Sequence, residues 1–499
     1  MSDDSGAEVM AKQGSITFLG NIGNKILGFV FLAIVTRLVS PSTFGVYSLG
    51  LSIILFVKGF SNLNLHRSVD YFVPQYLSGS EYGKAKSTVL FVIVIGLLST
   101  TVAAVLVVAG RRVLAEIFSE PLLIDILPLL CLVLPISAVF SSVNVLFNSI
   151  KQLKYTVYTQ KLALPISKLV ITVCFIYSGF SLFGLVGGYV FSFVVATVIG
   201  SVLALRNVDW VLGTDRRSVA RKDILSYSLP LAFVGVIYAT VGQIDYFVIG
   251  YFTVAESVGR YRVAFALSGN LLIFISSLTP IFKPMIVEKK HDIAVLRSRY
   301  QLATRWIVIA TLPAAITLAV APKAYILTLF TREYTTASTV VIVLSVGYLI
   351  NALAGPEGMF IEGLGHSKLT LLNTIFLITT NSILDILLVP RIGIVGAGIG
   401  TAGAYTVTVL LGVGEIYYLK GIHPFSKNLF KALIAGVPAV TIGTVFSYHI
   451  SNSQIIAIVL PVIILTSYLL SLVLLKGFTN EDRNVTNKID AKLGYPLFA

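Results

Sequence analysis

Fourteen long apolar runs follow one another along this chain, and they limit what it can fold into. Hydrophobic residues make up 56% of the 499 positions and charged residues only 12%, whereas about 25% of a typical soluble domain is charged. Each run has roughly 20 residues or more, enough for a helix to cross a bilayer. The runs are continuous rather than alternating, which excludes a membrane β-barrel. The sequence therefore predicts an all-α, polytopic membrane protein with fourteen transmembrane helices.

The distribution of basic residues predicts the orientation of these helices. Most of the 37 lysines and arginines lie in the tails and in the connections that follow even-numbered spans. Basic residues concentrate on the cytoplasmic side of a membrane, so we expect both termini to be cytoplasmic. This placement accounts for the net charge of +14 without a nucleic-acid partner. We expect a multi-pass protein of the plasma membrane.

Two pairs of short motifs indicate an internal repeat. Phe44-Gly45-Val46-Tyr47 matches Val258-Gly259-Arg260-Tyr261, and Gly184-Leu185-Val186-Gly187-Gly188 matches Gly393-Ile394-Val395-Gly396-Ala397 at nearly the same separation. Six spans lie between equivalent positions, and this even number predicts two halves of parallel topology. The predicted division is a cytoplasmic N-terminal tail (1–13), an N-lobe of spans 1–6 (14–206), a cytoplasmic linker (207–225), a C-lobe of spans 7–12 (226–420), spans 13 and 14 (421–476) and a cytoplasmic C-terminal tail (477–499).

Basic residues inside the first lobe are candidates for binding an anion. Lys25 lies near the middle of the first span, Lys58 within the second, and Arg67 near the cytoplasmic end of the second. A lone cation at the centre of a bilayer costs ~3 kcal/mol and usually faces a bundle interior or a wet cavity. A cavity lined by such cations would bind phosphate, pyrophosphate or an acidic sugar. The alternative is that these side chains extend to the interface.

Three more arginines could extend this path at its outer end, although each could equally be a solvated loop residue: Arg37, Arg260 and Arg262. Glu357 follows Gly355-Pro356, a predicted helix break of the kind that marks binding or moving segments in transporters. Glu357 is therefore a further candidate for substrate binding.

Acidic and polar residues of the second half form another group. Asp245, Asp385 and Thr401 are predicted at a similar depth below the outer surface, and Asn381 lies one turn from Asp385. Two carboxylates at one depth repel each other unless a proton or a cation lies between them. Carboxylate, amide and hydroxyl oxygens suit a small hard cation. The alternative is a set of separate hydrogen bonds between packed helices.

The chain resembles the polysaccharide transporter (Wzx-type flippase) branch of the multidrug/oligosaccharidyl-lipid/polysaccharide exporter superfamily. The residues that carry the resemblance are Thr36-Arg37-Leu38-Val39-Ser40-Pro41, Phe44-Gly45-x-Tyr47, Asp245 with Gly250, Val258-Gly259-x-Tyr261, and Asn381 to Pro390 followed by Gly393-x-x-Gly396-Ala397. The resemblance implies two six-helix lobes, two extra C-terminal helices and a cationic cavity. It also implies alternating access that moves a lipid-linked glycan between leaflets.

Related lipid II flippases bind sodium between their seventh, eleventh and twelfth helices. Asp245, Asn381, Asp385 and Thr401 are similar to that ligand set, and a carbonyl near Ala397 could complete it. The resemblance thus implies Na⁺ as a coupling ion, with H⁺ as the alternative, and no other cofactor. The cavity arginines of those relatives are not matched here, and Lys25 and Lys58 are the nearest substitutes.

These observations predict a transporter and not an enzyme, because no nucleophile motif, nucleotide loop or metal-spaced His/Cys set is present in the sequence. The expected substrate is a polyprenyl-phosphate- or pyrophosphate-linked glycan, and the protein is expected to contact membrane lipids. Glycosyltransferases, or a polymerase or ligase, are candidate partners, and we expect a monomer. The alternatives are a drug/cation antiporter of the same superfamily and a non-transporting scaffold for glycan assembly.

Overall fold

The computed structural model describes the backbone of residues 4–213 and 221–478, and the side chains of these residues except 4–18 and 278–281. Within these ranges the chain is helical and contains fourteen segments that are long and apolar enough to cross a membrane. The predicted all-α fold with fourteen spans is confirmed. Residues 214–220 of the predicted linker, and the predicted C-terminal tail from residue 479, lie outside the described residues.

Close contacts divide the chain into two compact units, Met1–Gly259 and Arg260–Ala499. The repeat predicts different boundaries, with lobes at 14–206 and 226–420, and this division into lobes stays a prediction. The first helix begins at Asp4, inside the segment predicted as a tail.

The first unit begins with these helices: α1 (Asp4–Leu38), α2 (Pro41–Ser61), α3 (His66–Ser78), α4 (Tyr82–Ala109), α5 (Arg111–Ile117), α6 (Leu123–Cys131) and α7 (Val133–Ser149). It continues with α8 (Leu153–Thr156), a π-helix (Val157–Ala163), α9 (Leu164–Tyr177), α10 (Ser181–Asn207), α11 (Asp209–Leu212), α12 (Arg221–Val241) and α13 (Ile244–Phe252). Helix α14 (Ala255–Gly269) crosses the boundary between the units.

The turn between α1 and α2 follows from its sequence. Ser40 caps α2, because its hydroxyl accepts a hydrogen bond from the Thr43 N–H at 3.2 Å. Pro41 occupies the first turn of the helix, where its missing N–H has no intrahelical partner to lose. These two residues end one span and start the next.

The first pair of repeated motifs meets within this unit. A Cβ built on Gly45 would lie 1.9 Å from the carbonyl oxygen of Ala255, and one on Gly259 would lie 2.8 Å from that of Pro41. Only glycine allows the backbones of α2 and α14 to approach this closely. The glycines of these motifs therefore serve close helix packing.

The second unit contains the remaining helices: α15 (Ile273–Glu288), α16 (Ile293–Val320), α17 (Pro322–Leu329), α18 (Ser338–Ala354), α19 (Glu357–Gly363), α20 (Ser367–Ile392), α21 (Ile394–Lys420), α22 (Lys427–Ile434), α23 (Gly436–His449) and α24 (Ser453–Leu474). Two 3-10 segments, Asn270–Leu272 and Arg332–Ala337, precede α15 and α18. The predicted break lies between α18 and α19, where Gly355 adopts a φ of +66°.

The freed backbone at this break is satisfied from a neighbouring helix. The hydroxyl of Tyr300 on α16 donates to the carbonyl of Ala354 at 2.7 Å. Thr304, one turn further along α16, packs against Gly355 so closely that a Cβ there would lie 2.1 Å from its Oγ1. Helix α16 therefore holds the interrupted span in place.

We expect Tyr300→Phe to lower the free energy of unfolding by about 1 kcal/mol, because it removes a buried hydrogen bond and leaves the Ala354 carbonyl unsatisfied. Tyr325→Phe is the matched control. The Tyr325 hydroxyl is also buried but has no hydrogen-bond partner among the described residues, and burial raises the pKa of its phenol. Thermal unfolding in detergent measures both changes. Equal effects of the two variants would contradict the role of the Tyr300 hydrogen bond.

Candidate functional site

Two stretches of the first unit combine basic residues with a complete lack of acids. Residues 14–61 and 153–207 include most of α1 and all of α2, α8, α9 and α10, and they contain no Asp or Glu. Lys25, Lys58 and Lys168 lie within the apolar parts of these segments. No carboxylate within these two stretches can therefore balance their charges.

Lys58, in the last turn of α2, lies over an aromatic ring of α10. Its Nζ is 4.8 Å from the centroid of Phe193, which occupies the middle of α10 (Ser181–Asn207). The side chain is partly buried, and no carboxylate pairs with it in the part of the chain that the structure describes. His66 lies within electrostatic reach of Lys58 and Arg67. The surroundings of Lys58 are thus apolar or positive.

Lys168 is a second intramembrane cation, and the sequence analysis missed it. Its Nζ lies 3.9 Å from the centroid of Phe31 on α1 and 5.3 Å from that of Tyr189 on α10. Tyr189 and Phe193 are four residues apart and share one face of α10, with ring centroids separated by 5.2 Å. The rule that selected Lys25 also selects Lys168, since it lies in the apolar run 164–177.

We name this group the basic–aromatic cluster; its members are Lys58, Lys168, Phe31, Tyr189 and Phe193. The cluster brings two cations from α2 and α9 onto the aromatic face of α10. An ammonium over an aromatic ring is attracted by the ring quadrupole, which is worth about 2 kcal/mol when the pair is desolvated. The rings carry no formal charge, so they hold the lysines without neutralising them.

The other predicted basic residues lie on α1, α3 and α14. The side chains of Lys25, Arg37 and Arg67 are exposed on the first unit. Arg260 and Arg262 belong to α14 in the second unit and are partly buried. Their roles along an anion path stay predictions.

In the second unit, Asp385 is fully buried on α20, and Asn381 one turn earlier donates from Nδ2 to its Oδ1 at 3.3 Å. Helix α21 passes directly beside this carboxylate. A Cβ on Gly400 would lie 1.9 Å from Asp385 Oδ1, and one on Gly396 would lie 2.6 Å from the backbone of Leu388. Small residues four apart allow such close approach of membrane helices.

Two other predicted ligands flank Gly400 on α21. Thr401 is buried, and its hydroxyl lies 3.3 Å from that of Tyr261; Ala397 is fully buried one turn earlier. Asp245 is buried on α13, in the first unit. The second unit thus gathers Asn381, Asp385 and Thr401, whose oxygens suit a hard cation. A buried carboxylate without a bound cation or proton would be costly in this setting.

The remaining intramembrane acids have distinct surroundings. Glu357 opens α19 directly after the helix break, and a Cβ on Gly412 of α21 would lie 2.8 Å from its Cγ. Glu362 forms an ion pair with Lys283 at 2.8 Å, and Glu415 accepts from Asn373 Nδ2 at 2.8 Å. Glu357 therefore lies where α19 meets α21. A movement at the helix break would change the position of its side chain.

Comparison with known proteins places the chain in a family. A family model described as "Polysaccharide biosynthesis protein" matches residues 34–339, more than half of the chain. The chain belongs to this family. An uncharacterized membrane protein of Methanocaldococcus jannaschii is similar at 24% identity over 406 residues, which cover 76% of this chain and 78% of that protein.

A second relative of the chain is described as a "probable low-salt glycan biosynthesis flippase", Agl15 of Haloferax volcanii. It is 24% identical over 187 residues, which cover 37% of this chain and 39% of that protein.

Two solved structures share the fold. The lipid II flippase MurJ, in an inward closed conformation, has a TM-score of 0.73 at 14% identity and covers 91% of this chain and 98% of its own. An inward-facing multidrug resistance MATE family transporter of the MOP superfamily has a TM-score of 0.67 at 14% identity. The match covers 80% of this chain and 96% of that transporter. The chain thus has the fold of these two transporters, as its sequence resemblance predicted.

We expect Gly400→Ala to displace the Asp385 carboxylate and to lower the free energy of unfolding by roughly 1–3 kcal/mol through overpacking. Gly414→Ala on the same helix is the control, because a Cβ there meets nothing within 4 Å and alanine favours the helix by about 1 kcal/mol. Thermal unfolding of both purified variants measures the difference. A fully stable Gly400→Ala would contradict the close packing of α20 and α21.

Proposed function

We propose that the protein is a flippase that carries a polyprenyl-phosphate- or pyrophosphate-linked oligosaccharide from the cytoplasmic to the outer leaflet. It does so by alternating between inward- and outward-facing states. The transported glycan serves the synthesis of cell-surface polysaccharide or of glycoprotein glycans. Family membership and the flippase relatives support this class of function.

The observation that carries the proposal is Lys58. It is a partly buried cation in the last turn of α2, held over Phe193 of α10, and its burial is costly unless an anion comes to it. A phosphate group is such an anion, and its bonds to an ammonium are charge-assisted and strong. The isoprenoid tail can remain in the lipid while the charged head group crosses. The protein then supplies binding and movement, and no covalent step is needed.

The same observation disfavours the drug/cation antiporter, although a MATE transporter shares the fold. A cationic drug needs acidic groups to bind it, and residues 14–61 and 153–207 have none. A non-transporting scaffold would need no intramembrane lysine. Glycosyltransferases that build the sugar, and a polymerase or ligase that receives it, are the partners that a flippase implies. We propose that the protein is a monomer in the plasma membrane and that both of its termini are cytoplasmic.

Lys58→Gln should lower the rate at which reconstituted vesicles move a lipid-linked sugar between leaflets by about tenfold or more, since it removes a charge-assisted contact. Lys154→Gln is the matched control. Its ammonium also lies 4.8 Å from a ring centroid, that of Tyr155, but its side chain is exposed at the start of α8. Lys25→Ala in the same assay tests the exposed lysine of α1. Full activity of Lys58→Gln would remove the main support for the proposal. If lipids move between the leaflets at the same rate with or without the sugar, the protein is a nonspecific scramblase.

Sodium coupling is the finer part of the proposal, with H⁺ as its alternative. A cation at Asp385, Asn381 and Thr401, with Asp245 and the Ala397 carbonyl as further ligands, would bias the two states only through different affinities for them. We expect the purified protein to unfold at a higher temperature in NaCl than in KCl of equal ionic strength. Asp385→Asn should abolish that difference.

Glu362→Gln is the control for the sodium measurement. This variant loses the ion pair to Lys283 but should keep the sodium dependence. If the unfolding temperatures in NaCl and KCl are equal for the unaltered protein, sodium coupling is wrong. A dependence on pH that Asp385→Asn removes would then favour the proton.

A further inference from the structure

We propose that Lys168 and Lys58 together bind the diphosphate of the lipid-linked saccharide, and that Phe31 and Tyr189 hold Lys168 in position for it. This inference rests on the proposed flippase function and narrows its substrate to the diphosphate-linked class. It assigns a binding role to α9, a helix in which the sequence analysis selected no residue.

The two lysines reach the same face of α10 from different helices. Lys168 of α9 lies over Tyr189, and Lys58 of α2 lies over Phe193. Positions four residues apart on a helix are separated by about 6 Å along its axis. The two ammonium groups thus lie over neighbouring rings of one helix, whose centroids are 5.2 Å apart. A diphosphate offers two linked phosphoryl groups, so each lysine can contact one of them.

The aromatic rings fix the ammonium group of Lys168 at a short distance. Its Nζ is 3.9 Å from the Phe31 centroid, closer than the 4.8 Å of Lys58 to Phe193. A lysine side chain otherwise has many rotamers, whose restriction on binding costs free energy. Rings that hold the ammonium in advance reduce that cost, and they leave its charge in place because they carry none.

The π-helix before α9 sets the direction in which Lys168 points. Its wide turn is closed by the Leu164 N–H, which donates to the carbonyl of Thr159 five residues earlier. Pro165 follows at the start of α9. Because proline has no backbone N–H, a regular α-helical turn at this position would lack one hydrogen bond. One residue turns a helix by about 100°, so the extra residue of the wide turn changes the register of α9 by about that angle. In this register the Lys168 ammonium lies over Phe31 and Tyr189.

The test uses the full chain in detergent, with farnesyl diphosphate and farnesyl monophosphate as probes and calorimetry as the readout. We expect the unaltered protein to bind the diphosphate more tightly than the monophosphate. Lys168→Gln should weaken diphosphate binding by about tenfold, the value of one charge-assisted contact, and should remove the preference for it. Lys168→Arg should retain most of the affinity. Lys154→Gln should bind both probes as the unaltered protein does.

Thermal unfolding of each variant establishes that it is folded before binding is measured. Unchanged diphosphate affinity in a folded Lys168→Gln, or an equal loss for Lys154→Gln, would overturn the inference. The flipping assay separates this result from the proposed function. If Lys58→Gln stops flipping while Lys168→Gln binds and flips normally, only the inference about Lys168 is wrong. If Lys168 governs diphosphate binding but the protein moves no lipid-linked sugar, the binding site stands and the flippase function is wrong.

Discussion

The free energy of placing charge inside a membrane controls the arrangement of this protein. A charged side chain at the centre of a bilayer is unfavourable by several kcal/mol, yet the first unit places Lys58 and Lys168 in apolar spans. Aromatic faces of α1 and α10 stabilise them, and residues 14–61 and 153–207, which carry both lysines, contain no Asp or Glu. An anionic substrate is the ligand that we propose for this arrangement. The fold therefore keeps a local positive potential where a neutral interior would be more stable.

Intramembrane acids in the second unit are accommodated in a different way. Asp385 receives a hydrogen bond from an amide, Glu362 pairs with a lysine and Glu415 pairs with an asparagine. Each carboxylate thus has a donor from its own unit. The acids of the second unit are thus stabilised by hydrogen bonds and an ion pair, whereas the two lysines of the first unit lie over aromatic rings.

The sequence predicts the fold well because membrane spans depend on a simple physical quantity, the length of an apolar run. The helix break at Gly355-Pro356 was also predictable, since glycine and proline interrupt backbone hydrogen bonding locally. Lys168 was missed although the same reasoning that selected Lys25 applies to it. Its aromatic partners could not be predicted, because Phe31 and Tyr189 lie on other helices and the π-helix changes the register of α9. The five proposed sodium ligands come from α13, α20 and α21, and only the close packing of α20 on α21 joins four of them.

The glycine contact between α20 and α21 has a consequence for how such a protein can move. With Gly396 and Gly400 in the interface, the two backbones touch, and a sliding step would drive side chains into main-chain atoms. These two helices must therefore travel as one rigid body during any transition. Bending has to occur where the chain is already interrupted, and the left-handed Gly355 beside Glu357 is such a point. A cation bound by residues of α20 and α21 would therefore move together with both helices. Its release could not come from a separation of these two helices.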